Sequence, residues 1–92
     1  MSDVVVQGGV QIDATAILGY PSTRESGHAA GLVVGPDARV RSGSTIYLGS
    51  RIGARFQTGH NVVVREECMI GDDVSVWSNT VIDYGCHIGD RV

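Results

Sequence analysis

Histidine is the side chain best suited to move a proton near neutral pH, and this chain has three in different settings. His60 lies in Thr58-Gly59-His60-Asn61, with Asn61 beside it and Asn79 eighteen residues further on. Proton transfer in catalysis needs such a side chain positioned at the reacting group, with hydrogen-bond donors nearby for any negative charge that develops. His60 is the candidate general base, with Asn61 its neighbour in the catalytic group. A histidine at an exposed turn is equally an ordinary solvated residue. That plainer reading is the better one for His87, which belongs to the series Arg51, Met69, His87. His28 stands with Arg24 and Glu25; Arg24 is a candidate phosphate contact, although an isolated arginine is usually just solvated. Asn79, Trp77 and Tyr84 complete the candidate substrate-binding set, and Trp77 either lines a cleft or packs at an interface. Cys68 and Cys86 are eighteen apart and read as buried thiols that fill space. They are too few for a disulfide scaffold and lack metal-ligand spacing.

These residues gain positions from a strict internal repeat. Stepping by six from Val34 gives Val40, Ile46, Ile52, Thr58, Val64, Ile70, Val76, Ile82 and Ile88. A second series starts at Ala38 and runs through Ser44, Ser50, Phe56, Val62, Cys68, Val74, Thr80, Cys86 and Val92, small or medium in size apart from Phe56. Neither helical nor strand alternation produces a six-residue beat. Gly35, Gly53, Gly71 and Gly89 recur at eighteen, so three hexads make one coil. The implied object is a triangular prism with one short strand per side. Residues three after each aliphatic, such as Asp37, Gly43, Asn61 and Asn79, are mostly the types that tolerate a left-handed turn conformation. Cys68 and Cys86 then stack inward in adjacent coils. The glycine column either suits the local backbone or leaves one side flat enough for close approach. Thr45, Val63 and Val81, next to Tyr47, form an outward apolar ladder that suggests a subunit contact.

The same register runs back through Leu18, Ile12 and Val6, with Val10 and Ala16 in the small series and Gly9 at a corner. The reading is a single domain over 1–92: a first coil over 1–19, a protruding loop over 20–33, and regular coils over 34–92. Repeat proteins often place binding residues on such loops. The last coil begins at Ile88 and stops at Val92, so the C-terminal end reads as uncapped or cut short. A net charge of −3, no lysine and dispersed arginines exclude the clustered basic face of a nucleic-acid binder. No apolar run approaches the roughly 20 residues that span a bilayer, and the start lacks the features of a signal peptide. A cytoplasmic protein is the expectation.

Three segments carry a resemblance: Leu18-Gly19-Tyr20-Pro21, Val40-Arg41-Ser42-Gly43-Ser44-Thr45-Ile46-Tyr47, and Gln57-Thr58-Gly59-His60-Asn61-Val62-Val63-Val64-Arg65-Glu66. With the hexad pattern, they resemble the hexapeptide-repeat acyltransferases, and within them the N-acetyltransferases of nucleotide-linked amino sugars. The resemblance implies an all-β, left-handed parallel β-helix, acetyl-CoA as co-substrate and no metal. It also implies a homotrimer with active sites between neighbours, and a histidine near the subunit boundary as base. The left hand rests on the resemblance, because parallel crossovers are ordinarily right-handed. Two other classes fit the same prism. A γ-carbonic-anhydrase-like metal enzyme needs three histidine ligands, but arginine stands at position 65, where a second histidine would follow His60. A non-catalytic trimeric assembly module needs only the coils.

Overall fold

The computed structural model describes residues 4–20 and 31–92. The first coil contains β1 (Val4–Val6), β2 (Gln11–Ile12) and β3 (Ile17–Tyr20). The second contains β4 (Leu32–Val34), β5 (Arg39–Val40) and β6 (Thr45–Tyr47). The third contains β7 (Arg51–Ile52), β8 (Gln57–Thr58) and β9 (Val63–Val64). The fourth contains β10 (Met69–Ile70), β11 (Ser75–Val76) and β12 (Val81–Ile82), and β13 (His87–Ile88) opens the fifth. No helix occurs among the described residues, so none is long and apolar enough to cross a membrane.

Every pairing is parallel, and the strands form three sheets, one per side of the prism. The first sheet runs β1-β4-β7-β10-β13, the second β2-β5-β8-β11 and the third β3-β6-β9-β12. The molecule is a left-handed parallel β-helix of hexapeptide repeats. From the second coil onward each residue pairs with the one eighteen later, as in Ile52 with Ile70 and Ile46 with Val64. In the first coil the offset is twenty-eight: Val4 pairs with Leu32, Gln11 with Arg39 and Ile17 with Thr45. The ten-residue surplus falls between β3 and β4. Tyr20 belongs to β3, and Leu32 and Val33 to β4, so strand pairing reaches into both edges of the 20–33 stretch. Residues 21–30 lie outside the described residues.

The aliphatic hexad series fills the interior: Val34, Val40, Ile46, Ile52, Val64, Ile70 and Ile82 are buried. The second series closes the corners from inside, with Ala38, Phe56, Val62, Cys68 and Val74 buried. Its two serines carry more than volume. The Ser44 hydroxyl donates to the Gly59 carbonyl (3.2 Å) and accepts from the Val62 N–H (3.1 Å). The Ser50 hydroxyl donates to the Arg65 carbonyl (2.6 Å) and accepts from the Cys68 N–H (3.0 Å). Each hydroxyl thus satisfies corner backbone groups of the next coil, which would otherwise be costly to bury.

All ten corner positions from Asp37 to Arg91 adopt positive φ, between 57° and 95°. Asn and Asp tolerate this conformation, whereas Arg55, Glu67 and Arg91 hold it against their intrinsic preference. Backbone hydrogen bonds between coils fix it: Asn61 N–H reaches the Ser42 carbonyl (3.0 Å) and Asn79 N–H that of His60 (2.9 Å). The glycine column has a different cause. A Cβ on Gly35 would lie 2.6 Å from the Gly53 carbonyl, and one on Gly53 2.7 Å from that of Gly71. The neighbouring coil occupies the space, so glycine is required for coils to stack.

Candidate functional site

The turn between the second and third sheets brings together most of the candidate residues. His60 follows β8 and Gly59, and its backbone is fixed on both sides by the next coil. The His60 N–H donates to Ser78 Oγ (2.8 Å), and its carbonyl accepts from the Asn79 N–H (2.9 Å). The imidazole is left exposed, as are Asn61 and Asn79. Trp77 projects from the coil above with 87% of its surface exposed, the most of any large apolar residue described. Gly59 lies directly beneath it, its N–H bonded to the Val76 carbonyl (2.8 Å). An imidazole, two amide side chains and an aromatic ring therefore share one corner, with the backbone hydrogen-bonded behind them and the side chains exposed.

Tyr84 stands elsewhere, at the corner between the third and first sheets, stacked on Glu66 and Leu48 in the coils beneath. It is 40% exposed and its N–H bonds to Asp83 Oδ1 (2.7 Å). Within one chain it does not join the His60 group. Arg24 and His28 lie outside the described residues. His87 is exposed on the first sheet, above Met69 and Arg51 along an open groove beside the glycine column. Among the described residues, no three His, Cys, Asp or Glu side chains gather as a metal site.

Tyr84's corner holds a cluster that sequence reading passed over. Glu66 is 2% exposed and accepts from Arg65 Nε (3.0 Å). The Arg65 guanidinium lies 4.8 Å from the centre of the Tyr47 ring, which packs against Tyr20 at 5.0 Å. The hydrogen bond from Arg65 to Glu66 raises the guanidinium's pKa above its ordinary value. Cys68 is buried and its thiol donates to the Asp83 carbonyl (3.0 Å). Burial pushes that thiol's pKa up, which keeps it protonated and unreactive. Cys86 is half-buried and, like Cys68, free.

Residues 49–84 match the family model described as bacterial transferase hexapeptide (six repeats). The match includes His60, Asn61, Trp77, Asn79 and Tyr84, and it supports the hexapeptide transferase superfamily, whose coils are typical of acyltransferases. No curated protein and no solved structure gives a significant match to the chain.

Proposed function

We propose that this protein is an acetyl-CoA-dependent N-acetyltransferase acting on a nucleotide-linked amino sugar, and that it works as a homotrimer. The observation that carries the reading is His60, exposed on a rigid corner with Asn61 and Asn79 inside the stretch that matches a transferase family. In the reaction the acceptor's amine nitrogen attacks the thioester carbonyl carbon, forming the C–N bond. An unprotonated nitrogen of His60 takes the amine proton, the C–S bond breaks, and the departing thiolate recovers that proton. The side-chain amides of Asn61 and Asn79 supply donors for the oxyanion. The ladder Ile17, Thr45, Val63 and Val81 supports self-association, with Val81 61% and Ile17 48% exposed on the third sheet. The same ladder equally favours a second reading, an assembly module without catalysis.

Calorimetric titration of acetyl-CoA into the purified chain, with oligomeric state measured in the same sample, separates the two. Saturable binding by a trimer is the expected result. A folded trimer with no heat of binding would overturn the transferase reading and leave the assembly module.

A further inference from the structure

Three caps between coils are built in the same way. In each, a glycine follows the strand, and the N–H of the next residue donates to a side-chain oxygen at the matching position one coil on. At the corner between the first and second sheets, Gly53 precedes Ala54, whose N–H reaches Asp72 Oδ1 (2.8 Å). One coil further, Gly71 precedes Asp72, whose N–H reaches Asp90 Oδ1 (2.8 Å). At the corner between the second and third sheets, Gly59 precedes His60, whose N–H reaches Ser78 Oγ (2.8 Å). A Cβ on Gly53, Gly71 or Gly59 would land on the capping oxygen itself, so each glycine leaves the space in which its cap sits. The geometry is shared and the charge is not. Carboxylates fix Ala54 and Asp72, whereas a neutral hydroxyl fixes His60.

A carboxylate would be the stronger acceptor for that N–H, since hydrogen bonds to ionised groups are roughly twice as strong as neutral ones. It would also place a negative charge about one coil spacing, ~4.8 Å, from the histidine. An opposite charge that close favours the charged form of a side chain, and an imidazolium has no lone pair with which to take a proton. The charged groups facing His60 come from the coil beneath. Arg41 lies in register under Gly59, and the Asp13 carboxylate is held by the N–H and hydroxyl of Ser42 (3.0 and 3.1 Å). The coil above brings Trp77, Ser78 and Asn79, and His60's own turn brings Gly59 and Asn61, none of which is an acid.

We infer that Ser78 is the positioning residue for His60: its hydroxyl fixes the histidine's backbone as Asp72 and Asp90 fix theirs, and it keeps a carboxylate away from the imidazole. This deepens, and rests on, the reading of His60 as the general base of a transferase.

Two substitutions separate the parts of that role. Ser78→Asp retains a cap and adds the charge; Ser78→Ala removes the cap and adds none. Proton NMR follows the His60 imidazole through a pH titration of the whole protein without substrate, its signal assigned by its absence in His60→Ala. Acetyl transfer is measured over the same pH range. Ser78→Asp should move the His60 titration midpoint up by about half a pH unit, the attraction of two exposed charges a few ångströms apart in water, and added salt should shrink the shift. The acid limb of kcat should move with it, a loss of about threefold at any pH on that limb. Ser78→Ala should leave the midpoint in place and lower kcat about 10- to 100-fold, the effect of misplacing a catalytic group, with KM nearly unchanged. Ser78→Thr, which keeps the hydroxyl, should restore most of kcat. An unmoved midpoint in Ser78→Asp, or native kcat in Ser78→Ala, would overturn the inference and leave the transferase reading standing. A native protein that transfers no acetyl group would overturn that reading and, with it, His60's role as the base that Ser78 positions.

Discussion

Two corners of the same prism carry polar side chains to opposite ends. At the corner between the second and third sheets, the His60, Asn61 and Asn79 side chains face solvent, while the backbone behind them is held by Ser78 and by Asn79's own N–H. At the corner between the third and first sheets, Glu66 is buried, Arg65 is bonded to it and stacked on Tyr47, and Tyr47 packs on Tyr20. The second cluster is richer in charge and was the more conspicuous in three dimensions. Its groups are engaged with one another, which stabilises the coil and leaves little for a ligand. Chemistry belongs where the backbone is committed and the side chains are not.

That contrast breaks first at His60. His60→Ala should lower acetyl transfer by about 10²- to 10⁴-fold, the usual contribution of a general base, with the thermal midpoint unmoved. An equal loss of activity and of stability would mean that the imidazole is structural and that the two corners do not differ. Next in size is Ser50→Ala, behind the charged corner. It strands the Cys68 N–H and the Arg65 carbonyl inside the prism and should cost roughly 1–3 kcal/mol in urea unfolding. The Trp77 emission of the native state should stay as it was.

The cysteines sharpen the same division. A thiol reagent should modify half-buried Cys86 well before buried Cys68 under native conditions. Burial raises the Cys68 pKa in the folded state, so the folded protein holds that proton more tightly than the unfolded chain. Its contribution to stability is therefore complete below the unfolded thiol's pKa of about 8.5 and declines as pH rises beyond it. Cys68→Ser should flatten that alkaline decline; an unchanged slope would assign it to another group. The smallest effect belongs to Arg55 and Asp73 at the remaining corner, where a hydrogen bond from Arg55 lowers the carboxyl's pKa. The pair's contribution is present above the unfolded Asp pKa and is lost as pH falls through the lowered one. Both groups are exposed, so Asp73→Asn should leave the urea midpoint at neutral pH within experimental error.

The prism was legible in the sequence because each of its columns repeats a residue class many times. Val34 to Ile88 and Asp37 to Arg91 are the interior and the turns, and their spacing alone gives three strands per coil. The corner position of His60 followed from the same count. Three features were hidden for physical reasons. Ser44 and Ser50 looked like small fillers, because residue type reveals volume but not the direction of a hydroxyl. The glycine column left two readings open, a local backbone need or an approachable flat side, and residue type could not show that a Cβ at Gly35 or Gly53 would strike the backbone of the next coil. Burial of Glu66 depends on Arg65 and on neighbours from other coils, and one position in one coil has no period to betray it. Tyr84 shares the matched stretch with His60 but not its corner, since six residues further along this coil is already the next turn.

The change of offset from twenty-eight to eighteen has a consequence for how such a chain can lengthen. Inside the regular coils, a single added residue would move every later side chain off its column, so viable duplications or deletions come in whole turns of eighteen. Between β3 and β4 ten additional residues are absorbed while Val4 still meets Leu32 and Ile17 still meets Thr45. Evolution, or a protein engineer, can therefore rewrite length at that joint one residue at a time, and only in units of a coil almost anywhere else.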